Sequence, residues 1–212
     1  MGFLGRLFGS SGGGGDWSDE GYYNAKRALL TRHLGEPDES VLAAIIGWPV
    51  GGPVDLWLFP SDSGTVFTTM QLVGPGRTEQ KRSSLGKYEL AAATARRKGI
   101  DGDLDEAASP WLDRAMSVRS MLTAIGHYSS MGRLEPMQTA EIPGEEKNTC
   151  VVFDRAIGNE TLAGEPFGLL WCIAVHPEEL AFARSAGTEA LIARLKQAGV
   201  YPTSDIDRDP VV

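Results

Sequence analysis

His127, Tyr128, Ser129 and Ser130 stand side by side in this chain, and an imidazole next to hydroxyls is the raw material of a base and nucleophile pair. Hydrolysis by such a pair also needs a group that orients the base and donors for the developing oxyanion. No Gly-x-Ser-x-Gly elbow surrounds either serine, and sequence spacing names no orienting carboxylate. The alternative reading is that His127 closes the preceding helix and the two serines lie in a turn. Asp101, Asp103 and Asp105 alternate as the first ligands of a calcium loop do. Glu106, however, stands where such a loop needs its turn-making glycine, and Leu112 where it needs a bidentate glutamate. A solvated acidic loop ahead of a helix N-terminus is the expectation there. His33, His127 and His176 are isolated in sequence, and neither Cys150 nor Cys172 has a ligand-type neighbour. No metal and no cofactor are therefore expected. No phosphate-binding Gly-x-x-x-x-Gly-Lys-Ser/Thr occurs, and the glycine run at 12–15 follows no strand.

Composition narrows the classes further. A chain of 212 residues suits one domain with a sizeable core. Its formal net charge of −8 argues against nucleic-acid binding, which needs phosphate-neutralising basic surface, and suits either solubility or a basic protein partner. The two cysteines each sit in an apolar run, so buried free thiols are expected over a disulfide. No run has the length of a transmembrane helix and no long apolar leader opens the chain, so no stable membrane insertion and a cytoplasmic location are expected. Residues 9–15, GSSGGGG, read as a flexible tether. They carry a short apolar tip in which Phe3, Leu4, Leu7 and Phe8 share one face if helical. The expected organisation is a tail over 1–15 and a single domain over 16–212.

The elements that must position these residues follow from periodicity and punctuation. Ser18 caps a helix running to about residue 34, with Tyr22, Ala25, Leu29 and Leu30 at helical spacing and Gly35 closing it. Strands are predicted at 54–59 and 66–73, joined by Ser61-Asp62-Ser63-Gly64, and a third at 87–93, although 91–95 equally suits a helix. Ser109 and Pro110 start a helix to about residue 125. Two further strands at 149–154 and 169–176 precede helices at 177–185 and 188–198. Strands and helices mixed without a regular βαβ rhythm predict an α+β fold, a mixed or mostly antiparallel sheet flanked by helices. Of the five tryptophans, Trp57 and Trp171 are expected in the core or half-buried, and Trp17, Trp48 and Trp111 at element edges, where a core lid and a partner contact are both open.

Three blocks, in order, carry a resemblance: DESVLAAIIGWPVGGPVDLWLFPSDSGTVFTTMQLV at 38–73, GKYELAAATAR at 86–96 with its Glu89-Leu90 pair, and the ending at 165–212 with Tyr201-Pro202 and Ser204-Asp205-Ile206-Asp207-Arg208. Together they resemble the suppressor-of-fused-like domain family, in its bacterial branch. One departure is Thr68-Thr69-Met70-Gln71-Leu72, where the family commonly has a Thr-Ser-Gly-Met-Ser-like run. The resemblance implies an α+β protein-binding module. In the bacterial branch it implies an immunity-type protein of a polymorphic toxin system that covers a cognate toxin, for which a basic toxin domain would suit the negative charge. The clamp that an animal relative closes around its peptide needs two lobes and is not carried over. The residues themselves offer, as partner-binding candidates, Arg77, Glu79, Lys81 and Arg82 of the loop 77–84, and Tyr88 and Glu89 on the strand that follows. The alternatives are a small hydrolase using His127 with Ser129 or Ser130, and a structural subunit of a larger complex.

Overall fold

The computed structural model describes residues 19–43, 52–74, 80–104, 106, 109–144 and 147–212. Trp17, Trp48, Arg77, Glu79 and Asp105 lie outside them, as do the tip and tether.

Four helices, α1 (Asp19–Leu34), α2 (Pro110–Met131), α3 (Pro177–Ala186) and α4 (Thr188–Gln197), pack on a seven-stranded sheet. Its strands are β1 (Val41–Leu42), β2 (Leu56–Ser61), β3 (Gly64–Thr69), β4 (Lys87–Thr94), β5 (Thr139–Ile142), β6 (Thr149–Leu162) and β7 (Glu165–Val175), in the spatial order β1-β2-β3-β4-β7-β6-β5. Every pairing is antiparallel except β4 with β7, which is parallel. The fold is thus α+β with a mixed sheet, as the sequence predicts.

Register and the two-residue period of a strand sort the side chains onto two faces. Glu89 and Ala91 align with Leu169 and Trp171 on one; Tyr88, Leu90 and Ala92 align with Gly168, Leu170 and Phe67 on the other. Helix α1 covers the first face, with Tyr23 edge-on to Trp57 at 4.9 Å between ring centroids. Helix α2 covers the second, where Trp111 packs on Phe67 and donates its indole N–H to Thr65 Oγ1 at 3.2 Å. Trp111, at the start of α2, is fully buried, so of the core-lid and contact roles open to it the structure takes the core.

The differences from the predicted elements have local causes. Helix α2 runs to Met131, past the expected end at 125, because its buried stripe continues through Ile125, Gly126 and Ser129 and the next stop is Gly132. Ser109 accepts the Leu112 N–H and Pro110 opens the helix, as expected. Strands β6 and β7 are longer than predicted because they form one hairpin closed by Ala163-Gly164, both at positive φ (54° and 79°). That is a two-residue loop of the kind whose twist matches its strands. Residues 91–94 continue β4 and are not helix. Strand β3 ends at Thr69, before the predicted 73, because the backbone of Met70, Leu72 and Val73 turns to bind the Lys26–Glu89 pair described below. Strands β1 and β5 are additions.

The ending is built into the sheet. Beyond Ala91 and Trp171 the parallel pair β4 and β7 parts, and Ser204 fills the gap: its N–H donates to Ala93 C=O (2.7 Å), its hydroxyl to Cys172 C=O (3.1 Å), and it accepts the Ala174 N–H (3.1 Å). Asp205 accepts from Thr94 Oγ1 and the Ala95 N–H, both at 2.6 Å, and pairs with Arg114 of α2 at 3.2 Å. Cys150 and Cys172 are buried free thiols, and burial pushes Cys172 upward in pKa. No helix among the described residues is long and apolar enough to cross a membrane.

Candidate functional site

The polar residues singled out by sequence separate once they are placed. Glu89 is fully buried and paired with Lys26, itself 1 % exposed, at 2.5 Å. Lys26 also donates to the carbonyls of Met70 (2.8 Å) and Val73 (2.6 Å), and Glu89 accepts from Thr69 Oγ1 (2.6 Å) and the Val73 N–H (3.1 Å). Two charges so enclosed are tolerated because each is surrounded by further hydrogen bonds. Tyr88 is fully buried on the opposite face, where desolvation raises its phenol's pKa. Tyr88 and Glu89 therefore offer no surface for a partner in this conformation; they hold β4 in the core. Lys26 escaped notice in the sequence although it interrupts the apolar stripe of Tyr22, Leu29 and Leu30, which was the available signal.

Lys81 and Arg82 are exposed. The Lys81 N–H donates to Ser129 C=O at 2.9 Å, tying their loop to the last turns of α2. Arg82 pairs with Glu165 at 3.0 Å. The segment His127–Ser130 lies within those same helical turns rather than in a turn after them. Ser129 Oγ is buried and donates to Gly126 C=O (2.7 Å); Ser130 Oγ donates to His127 C=O (2.8 Å). Both hydroxyls are spent on helix carbonyls three residues back. Asp101 accepts the Arg97 N–H at 2.7 Å, closing its own loop, and no group of three or more metal-type ligands occurs among the described residues.

A cleft of about 940 Å³ lies between the end of α2, β5 and the α3–α4 corner. Ile125, Tyr128 and Met131 line one wall, Ala183, Arg184 and Thr188 the other, and Phe153 is part of its lining. His127 is also on the rim. Strand β5 runs along the cleft as the last strand of the sheet, paired with β6 on one side and with no strand on the other among the described residues. Tyr128, Met131 and Met137 are 51 %, 72 % and 46 % exposed, three of the few large apolar side chains left outside the core.

The wall between α2 and β5 is held in an unfavourable backbone state. Met137 sits at φ +68°, in the left-handed region that a side chain other than glycine's resists. Its N–H donates to Phe153 C=O (2.7 Å), and the Phe153 N–H donates to Gln138 C=O (2.9 Å), so the strained residue itself and the one after it are pinned to β6. Such strain costs on the order of 1–3 kcal/mol and is found where geometry is imposed for use. Charge on the rim is largely paired: Arg133 with Glu135, and Arg184 with Glu141 at 3.4 Å. A hydrogen bond from Asn148, then Arg184, holds the Glu141 carboxyl below its ordinary range. Chemically the cleft offers apolar, polarisable contact beside unpaired strand edge, the two components that bind an extended peptide. Met131, Met137 and β5 were missed because nothing in a sequence distinguishes an apolar residue left outside from one in the core.

No protein-family model matches this chain, and no curated protein matches it. Among solved structures, a chain of one described as the Sufu–Fu complex crystal structure superposes with a TM-score of 0.57 at 16 % identity, over 93 % of this chain and 93 % of that one. The chain therefore shares a suppressor-of-fused-like α+β fold.

Proposed function

We propose that this protein is a protein-binding module that takes an extended segment of its partner against β5, with side chains of that segment entering the cleft lined by Tyr128, Met131 and Met137. The observation that carries the reading is the coincidence of a strand edge left unpaired among the described residues with the exposed apolar side chains of Tyr128, Met131 and Met137 beside it. Added-strand hydrogen bonds supply affinity, and alternate side chains in the cleft supply selectivity. The solved structure of similar fold is of a Sufu–Fu complex, which supports protein binding as the class of activity. We infer that Lys81, whose backbone is tied to the end of α2, and its neighbour Arg82 contribute to the flank of this surface.

At the finer level we infer an immunity-type role in the cytoplasm of a bacterium, in which the domain covers a basic toxin. The net charge of −8 supports this, since opposite charge speeds association. The test is a comparative capture from the source cells with the tagged wild type, Met131→Glu and, as a remote exposed control, Ile100→Glu. A stoichiometric protein retained by wild type and I100E but lost with M131E supports the module. Suppression of a toxic activity of that protein, with affinity falling as salt rises, supports the immunity role. A partner captured equally by all three excludes the cleft, and a turnover lost in His127→Ala with the fold intact would favour the hydrolase.

A further inference from the structure

The chain is acidic as a whole, but its charge is reversed where α2 meets the cleft. The loop that carries Lys81 and Arg82 is fixed there at several points. The Lys81 N–H donates to Ser129 C=O (2.9 Å), and the Ser84 N–H donates to the Glu135 carboxylate (2.9 and 3.1 Å). The Gln80 side chain donates to Tyr88 C=O (2.9 Å) and accepts the Tyr88 N–H (3.1 Å). Ser129 and Glu135 bracket Met131 and Arg133, which line the cleft, so the loop is anchored on the cleft's own wall. Arg133 is matched by Glu135. Arg82 and Lys87 share one carboxylate, Glu165, and among the described residues Lys81 has no ion-pair partner. Lys81, Arg82, Lys87 and Arg133 thus stand against Glu135 and Glu165, an excess of two positive charges on a chain of net −8. The last turn of α2 has no basic residue of its own, and a helix end carries about half a unit of negative charge. That end takes up part of one cation and leaves the remainder for a ligand.

We propose that the segment taken by the cleft is apolar with an acidic flank: its large side chains seat against Tyr128, Met131 and Met137 while carboxylates beyond them meet Lys81 and Arg82. This rests on the reading of the cleft as a peptide site and adds the charge of what enters it. Arg82 is 60 % exposed and Lys81 is exposed, so both heads are open to a partner. A guanidinium meets a carboxylate through paired N–H groups, and an ammonium meets it as a point charge. Exposed charges of this kind act chiefly on encounter and register, and they repel a segment whose flank is basic. The requirement concerns the segment in the cleft alone; the partner's remaining surface is free to be basic, as the chain's net charge favours.

The test uses the full chain and three fluorescein-labelled synthetic peptides that share the core Thr-Leu-Thr-Phe-Thr, which puts Leu and Phe on one face of a strand. The core is flanked at each end by two aspartates, two serines or two lysines, and binding is read by fluorescence anisotropy. At low salt the aspartate peptide is expected to bind roughly tenfold or more tighter than the lysine peptide, with the serine peptide between them and the gap closing as salt rises. The net charge of the chain works against this order, so a preference for aspartate reports the local surface. Lys81→Gln combined with Arg82→Gln should remove the preference, and Lys81→Glu combined with Arg82→Glu should reverse it, both leaving the serine peptide's affinity unchanged. Equal binding of the aspartate and lysine peptides, tighter binding of the lysine peptide, or a preference that survives K81Q/R82Q overturns the proposal. Met131→Ser, which adds no charge, separates this proposal from the cleft reading beneath it. If it weakens all three peptides but wild type shows no preference among them, the cleft takes peptides and the acidic flank is wrong. If the aspartate preference is present and Met131→Ser changes no affinity, the basic corner holds anions without the cleft, and the cleft reading falls together with the proposal. Binding of none of the three peptides to wild type overturns both.

Discussion

Under α1 this protein buries charge, and beside α2 it exposes apolar side chains. Lys26 and Glu89 are sealed at 1 % and 0 % exposure with their polar atoms bonded on several sides, whereas Met131 stands 72 % exposed a few strands away. Both depart from the usual partition, and the physical consequence differs. A buried ion pair with satisfied neighbours is a fixture: its desolvation has already been met by the fold, and it fails only if one partner is removed. An exposed apolar wall with a strained residue in it is an opening: it gains free energy only when something covers it. Tyr88 and Glu89 of β4, expected as partner residues, are both buried, Glu89 in the first region.

Breaking the fixture should give the largest effect. Lys26→Ala or Glu89→Ala leaves an unpaired charge inside and is expected to cost about 3–5 kcal/mol; the double variant Lys26→Met/Glu89→Leu should cost much less than the sum, as a denaturant double-mutant cycle would show. If the single changes cost under about 1 kcal/mol, the pair is not the anchor described. The C-terminal counterpart should rank second. Burial by itself would raise Glu179, but the bidentate Arg208 guanidinium (2.6 and 2.9 Å) and the His176 and Val211 N–H groups hold its carboxyl below 4.5. A carboxyl depressed in the folded state contributes stability that is full above its unfolded pKa and is lost as pH falls through the folded value. Glu179→Gln should thus cost about 1.5–3 kcal/mol at neutral pH and flatten the loss of stability below pH 4.5, read as midpoint against pH.

The open region should respond in the opposite sense. Met131→Glu should change stability by no more than about 0.5 kcal/mol while weakening partner binding at least tenfold, about 1.4 kcal/mol; a comparable loss of stability would mean Met131 is core. Met137→Gly sharpens the contrast most. Glycine adopts positive φ without penalty, so the variant should gain about 1 kcal/mol in denaturation and yet bind the partner less tightly, titrated by calorimetry. A variant destabilised by glycine would remove the argument that strain is held at this wall for use.

Much of the fold was readable from local rules. Ser109-Pro110 opens α2, Pro177 opens α3 and Gly199 follows α4, because caps and φ restrictions act within a few residues. Strand β4 and the inward placement of Trp57 and Trp171 likewise follow from apolar runs. Elements set by distant partners were not readable. The extra turns of α2 depend on what Gly126 and Ser129 pack against, and β5, only four residues long, exists because β6 pairs with it. The candidate site was the least readable, since burial of Tyr88 and Glu89 and exposure of Met131 are properties of the assembled layers.

By itself, then, the sequence determined an acidic α+β chain with named helix starts and two buried thiols, because propensity, punctuation and charge are additive along a chain. Only the tertiary structure decided that Lys26 answers Glu89, that Ser204 closes the gap between β4 and β7, and that Met131 and Met137 stand exposed near β5, the last strand of the sheet among the described residues. Each of those joins groups far apart in sequence, and their free energy exists only once both sides are in place.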